Sequence, residues 1–225
     1  MGSVWTPLLL SLKVAGWATM LNLFVGVAAA YGLSRWRSPL RDLIDSILTL
    51  PLVLPPTVLG YYLLVLLGKR GTFGAWLSSV GIELVFTWQG AVIASTIVAF
   101  PLVLKSARAA FENVDTQLEN AARVLGVSEA GVFFRVSLPL AARGIAAGVL
   151  LAFARALGEF GATLMVAGNL PGRTQTLSVA IYEAVQAGDD ATATLLVVIT
   201  SITCVAVLLI AGRLVPGHAR RVDLS

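Results

Sequence analysis

Five apolar runs decide what this chain can fold into. They cover residues 8–33, 43–67, 90–104, 144–166 and 192–214. A helix needs about 20 mostly apolar residues to cross the hydrocarbon core of a bilayer. No water pairs with backbone N–H or C=O groups there, so a crossing segment satisfies them within itself, as a helix. Only 12% of the residues are charged, against about 25% in soluble domains. The expectation is an all-α integral membrane protein: a polytopic helical bundle of about five transmembrane helices, in one membrane domain over residues 1–225.

The same residues exclude several function classes. The first run has no basic residue before it and carries Lys13 inside it; it is also too long for a signal-peptide core, so it reads as a retained span. One cysteine, Cys204, and one histidine, His218, cannot build a Cys/His metal site or a Ser-His-Asp set. No phosphate-binding G-x-x-x-x-G-K-[ST] loop occurs. The chain therefore reads as neither an enzyme nor a metal protein. The net charge of +4 comes from residues scattered between apolar runs, which argues against nucleic acid.

Those basic residues set an orientation instead. Five spans with the N-terminus outside put Arg35, Arg37, Arg41, Lys105, Arg108, Arg123, Arg135, Arg143, Arg213, Arg220 and Arg221 in cytoplasmic loops and tail. The outer loops hold only Lys69, Arg70 and Arg173. The positive-inside rule then predicts a cytoplasmic C-terminus in the cell membrane. Trp5, Trp36, Trp76 and Trp88 fall near span ends and suit the lipid interface. Lys13 sits about a turn inside the first span. It could draw an anion, but snorkelling to the surface is the favoured reading.

Residues 119–139 form the longest polar interval. Asp115 or Thr116 can cap a short helix, and Leu118, Ala121, Ala122 and Leu125 then share one face. Gly126 is placed to end it in a left-handed conformation, and Ser128 can cap a second helix that breaks near Pro139. A small apolar face at this position suits docking into a groove on a partner.

Two further stretches hold candidates. Pro51, Pro55 and Pro56 interrupt the second run, with Thr57 next to them. Such prolines either open a substrate path, with Thr57 and the following amides facing an oxyanion, or kink the span against a neighbour. In the fourth run Gly144, Gly148, Ala152 and Ala156 recur every four residues, a close-packing stripe. Arg155 and Glu159 stand at i,i+4 as an intramembrane ion pair. Gly158, Gly161 and Thr163 are path candidates or plain helix contacts.

The mid-chain interval resembles the EAA loop of ATP-binding-cassette (ABC) importer permeases. Ala121, Ala122, Gly126, Leu138 and Pro139 match its spacing, with Val136 at the Ile position. Asn120 stands at the family's Glu position, and the acid, Glu119, comes one residue earlier. With L-P-L-V-L-P-P-T-V-L-G-Y-Y-L-L at 50–64, L-A-F-A-R-A-L-G-E-F-G-A-T at 151–163 and N-x-P-G-x-T-x-T at 169–176, nearly the whole chain resembles the permeases of molybdate importers, and more loosely the sulfate permeases. The resemblance implies a type I ABC importer permease fold. It also implies a homodimer with a second permease copy, two cytoplasmic ABC ATPase subunits and an external oxyanion-binding protein. The docking (coupling) loop would lie at about 106–143 and include Glu119, Ala121, Ala122, Gly126, Val136, Leu138 and Pro139. ATP and Mg would sit on the ATPase, and this chain would bind no cofactor. The implied cargo is molybdate or tungstate, moved by alternating access.

Rival readings are a sulfate/thiosulfate permease of the same class, an ion-gradient-driven carrier, and a structural membrane protein. A carrier ordinarily shows mid-membrane ionisable residues and paired repeats, and no repeat is evident.

Overall fold

The structure, a computed structural model, describes residues 4–36 and 38–214. Arg37, His218, Arg220 and Arg221 lie outside the described residues, as does the side chain of Arg213. Among the described residues the chain is helical throughout, without strands.

The first helix, α1 (Trp5–Arg35), is followed by α2 (Leu40–Val53), α3 (Pro56–Leu67), the short α4 (Thr72–Ser79) and α5 (Trp88–Glu112). Next come α6 (Thr116–Val124) and α7 (Glu129–Val132), then a π-helical turn (Phe133–Ser137) that runs straight into α8 (Leu138–Leu157). The last described elements are α9 (Gly161–Ala167), α10 (Leu177–Gln186) and α11 (Asp190–Leu214). Four stretches are long and apolar enough to cross a membrane: α1, α5, the continuous Glu129–Leu157 helix, and Asp190–Leu209 within α11. The α2–α3 pair makes five if it counts as one span.

Close packing of small residues holds the centre, where α1, α5 and α8 meet. A Cβ at Gly148 would lie 2.5 Å from Ser106 Cβ, one at Gly144 2.6 Å from Ala110 Cβ, and one at Gly26 3.0 Å from Val103 Cγ1. Ala152 and Ala156 continue that seam as buried residues. Lipid tails are as apolar as leucine, so membrane helices associate by such backbone approach rather than by hydrophobic burial. One polar link crosses the seam: buried Asn22 donates to the Thr96 carbonyl at 3.1 Å. At one end Tyr31 stacks edge-on against Phe111 and Phe133, with ring centroids 5.2 and 4.6 Å away.

Three sequence expectations are corrected. The second run is not one straight helix: it bends by 111° between Val53 and Pro56. Pro55 and Pro56 carry no N–H, so Leu54 closes α2 by donating to Leu50, and Pro56 opens α3 at its first position. The fourth run is not continuous either, since α8 stops at Leu157 and α9 starts at Gly161. Third, the helix after Ser128 does not break at Pro139. The π turn widens the backbone, with the Leu138 N–H reaching Phe133 five residues back. That accommodates a proline in the second position of α8 without a kinked stop.

The bundle has two distinct ends. The α1–α2 turn and the α5–α8 connection share one, joined by Arg35–Glu119 and Arg41–Glu112 pairs. The start of α1, residues 68–87 and residues 168–189 share the other, where Leu177 N donates to Ser11 Oγ at 2.8 Å.

Candidate functional site

The α6–α7 hairpin is built by three local devices. Asp115 Oδ1 accepts from Gln117 N at 2.8 Å and caps α6. Gly126, at φ +80°, reverses the chain, and Val127 N returns to the Ala122 carbonyl at 3.1 Å. Ser128 Oγ accepts from Gly131 N at 3.3 Å and starts α7.

One acid of this hairpin turns inward while a set of apolar side chains at its tip faces out. Glu119 is only 2% exposed. It accepts from Arg35 Nη2 at the end of α1 and from Ser137 Oγ in the π turn, the latter at 2.6 Å. Arg123 grips Glu129 with Nε at 2.7 Å and Nη2 at 3.1 Å, and Asn120 Oδ1 at 2.9 Å. The hydrogen bond from Arg123 holds the Glu129 carboxyl below the usual carboxylate range. Val124 and Leu125, by contrast, are 88% and 82% exposed, and Leu118 and Ala121 are exposed beside them. Gly126 and Pro139 are also exposed, while Val136, Leu138 and Ala122 are half-buried. The loop residues singled out in the sequence thus separate: Ala121 and Gly126 lie on the exposed surface, Ala122, Val136 and Leu138 are partly covered, and Glu119 anchors the hairpin from beneath.

A second ionic cluster braces α2 against α5 at this end. Asp45 meets Lys105 Nζ at 2.5 Å and Arg108 Nη1 at 2.7 Å, and Glu112 meets Arg41 and Arg108. Sequence reading missed Arg35, Ser137, Asp45 and Glu112. Their partners lie far along the chain, and only an odd serine in a Phe-Phe-Arg-Val-Ser run hinted at one of them.

The two helix breaks lie side by side. A Cβ at Gly161 would sit 3.2 Å from Pro56 Cβ and 3.2 Å from Thr57 Cγ2, and one at Gly60 2.7 Å from Met165 Cβ. Glu159 stitches the α8–α9 break. Its Oε1 accepts from Ala162 N at 2.8 Å, capping α9, and its Oε2 lies 2.7 Å from Arg155 Nη1. Of the amides after Pro56, Val58 and Leu59 return to the Pro55 carbonyl, which leaves only that of Thr57 for any ligand. Pro55, Thr57 and Gly158 are exposed and Pro56 is half-buried, whereas Gly161 and Thr163 are buried. Non-helical backbone at membrane depth is tolerated where it is buried in protein or lines a water-filled cavity. Paired breaks of this kind are where transporters place a substrate route.

Together these features describe a transport permease: a helical membrane bundle with interrupted spans and a rigidly anchored helical hairpin at one end. The family described as "Binding-protein-dependent transport system inner membrane component" matches residues 22–223. The chain is 44% identical over 208 residues to the molybdenum transport system permease protein ModB of Escherichia coli (strain K12), covering 91% of each chain. It is 44% identical over 187 residues to a putative molybdenum transport system permease protein of Bacillus subtilis (strain 168), covering 83% of this chain and 82% of that one. Among solved structures, a bacterial ABC transporter that imports alginate superposes with a TM-score of 0.76 at 15% identity, covering 95% of this chain and 79% of that one. The MetNI methionine ABC transporter, inward facing, gives 0.68 at 18% identity over 94% and 92%.

The chain belongs to the family of binding-protein-dependent transport system inner membrane components. It is a multi-pass inner-membrane permease subunit of an ABC importer; the ATPase is a separate subunit, and a binding protein supplies the cargo.

Proposed function

We propose that this chain is the permease of a molybdate importer, with tungstate as a second cargo of the same shape and charge. The observation that carries the reading is the 44% identity, over nearly the full length, to a molybdenum transport permease. Two copies would form the conduit. The α6–α7 hairpin, within a coupling loop at about residues 106–143, would dock on the ATPase through Leu118, Ala121, Val124 and Leu125. Its end of the bundle is cytoplasmic on this reading, because Arg35, Arg41, Lys105, Arg108 and Arg123 gather there. The C-terminus then lies inside and the N-terminus outside.

ATP-driven closure of the ATPase pair would push the hairpin. Glu119 passes that push to Arg35 on α1 and to the π turn leading into α8, and so biases the bundle between outward- and inward-open states. Glu159 would hold the α8–α9 break in shape, leaving Pro55, Thr57 and Gly158 along the route.

The test is uptake by the transporter reconstituted in liposomes with its ATPase and binding protein. ATP-dependent accumulation of molybdate, competed by tungstate and not by sulfate, is expected. Sulfate uptake matching that of molybdate would defeat the substrate assignment, and uptake without the ATPase would defeat the class.

A further inference from the structure

At the end of the bundle opposite the hairpin, α1, the start of α5 and the 172–174 turn enclose a hollow of about 460 Å³. Lys13, Trp88, Gln89 and Arg173 are among the residues lining it, and no Asp or Glu is. Lys13 does not simply reach for water: its Nζ stands 3.6 Å from the centroid of the Trp88 ring. Among the described residues neither Lys13 nor Arg173 pairs with a carboxylate, whereas Lys69 at the same end meets Glu83 at 2.6 Å. The nearby acids are engaged elsewhere. Glu183 accepts from Asn169 Nδ2 at 2.8 Å, and Asp189 accepts from Thr192 N at 3.1 Å. The positive end of the 25-residue α5 adds to the imbalance, because the helix begins at the hollow's wall.

The hollow is held in shape. Gly168, at φ +69°, leaves room for the Phe86 ring, whose atoms a Cβ there would meet at 2.9 Å. Phe86 N donates to the Val166 carbonyl at 3.0 Å, so α9 and the start of α5 are locked together beside it.

We propose that this hollow is an entry site for the tetrahedral oxyanion that the binding protein releases, held between Lys13 and Arg173 before it moves into the bundle. Both cations are exposed, so their pull is screened by solvent and salt. That suits a brief stop, since a conduit must release a doubly charged ion as readily as it admits one. The inference deepens the oxyanion-permease reading and rests on it.

The experiment uses the assembled transporter in phosphatidylcholine nanodiscs, with Cys204→Ser and a reporter Gln89→Cys on the hollow's wall. Modification rates with an anionic and a cationic methanethiosulfonate are compared, each scaled to a free thiol. The anionic reagent is expected to react about tenfold faster. Molybdate or tungstate should slow it, and chloride at equal ionic strength should not. Lys13→Met or Arg173→Gln, the latter in an exposed turn where folding is not at stake, should abolish the preference.

Equal rates for the two reagents, or equal protection by chloride, overturn the proposal. So does protection that appears only when phosphatidylglycerol is added, which would make the occupant a lipid phosphate. The readout is not transport. If selectivity and oxyanion protection hold while molybdate uptake fails, the importer reading falls and the site stands. If uptake proceeds without selectivity, the site falls and the importer reading stands.

Discussion

Glu119 and Arg35 meet across 84 residues of sequence, and their pair joins the base of the α6–α7 hairpin to the end of α1. The carboxylate is buried, and the Arg35 side chain is 28% exposed. Removing one partner of a buried pair costs about 3–5 kcal/mol, and partial exposure of Arg35 places this case at the low end. Glu119→Ala and Arg35→Ala should therefore lower the melting temperature of the purified permease alike. Both should also lose ATPase co-purification, because the hairpin loses its footing. The exchanged double variant Arg35→Glu with Glu119→Arg should recover part of the loss. If Arg35→Ala keeps the ATPase while Glu119→Ala releases it, Glu119 touches the partner directly and the internal tie is secondary.

The exposed tip predicts the opposite pattern. Val124 and Leu125 contact little within the chain, so Val124→Glu with Leu125→Glu should change permease stability by no more than about 0.5 kcal/mol per site. Pull-down of the ATPase should nevertheless be lost. Retained binding at normal affinity would move the docking surface elsewhere.

The depressed Glu129 carboxyl gives a pH dependence with a definite sign. Its folded value lies below the unfolded one, so its contribution is full above the unfolded value and disappears as pH falls through the folded value. Protection of the amides in residues 116–132, taken relative to the intrinsic exchange rate at each pH, should fall as the solution is acidified through and below the ordinary carboxylate range. In Glu129→Gln that part of the pH dependence should vanish. The group is fully exposed, so the change should stay local to the hairpin and leave global melting unmoved.

Close packing between α5 and α8 makes Gly148 intolerant of a side chain. Gly148→Leu would drive new atoms into Ser106 and should destabilise the fold by about 1–3 kcal/mol. Gly16→Leu is the control, since a Cβ there meets nothing within 4 Å. Comparable losses in detergent melting for both would show that helix propensity, not the seam, governs the outcome.

These contrasts mark what the sequence could and could not convey. Asp115, Gly126 and Ser128 act through neighbours a few residues away, so the hairpin's caps were readable as local patterns. The four-residue glycine and alanine stripe of α8 was readable for the same reason. The angle at Pro55 was not, because prolines announce a break while tertiary contacts with α9 set its direction. The Gly158–Phe160 break carries no proline, and Glu159 reads as half of an ion pair within a continuous helix; its second role, capping α9 through Ala162 N, depends on a turn that spacing alone does not show. Pro139 misled in the other sense, since a π turn absorbs it. The inward turn of Glu119 depends on a partner at Arg35, and spacing within the hairpin alone could not reveal that.

The adjoining breaks offer a last test, one that separates a route from mere packing. Thr163 is 1% exposed and its hydroxyl lacks a partner. Thr163→Val keeps the shape and removes an unpaired polar group, so stability should hold or rise by up to about 1 kcal/mol. Uptake should be unchanged, because nothing at that position faces open space. Thr57 differs: it is exposed at the elbow, its methyl packs toward Gly161, and its amide is free of the Pro55 carbonyl. Thr57→Val preserves the methyl contact and deletes only the hydroxyl. Melting should not move, while ATP-driven molybdate uptake should slow several-fold with ATPase stimulation by the loaded binding protein retained. Unchanged uptake in Thr57→Val would remove its hydroxyl from the route. A loss confined to Thr163→Val would shift the route to the α3–α9 interior.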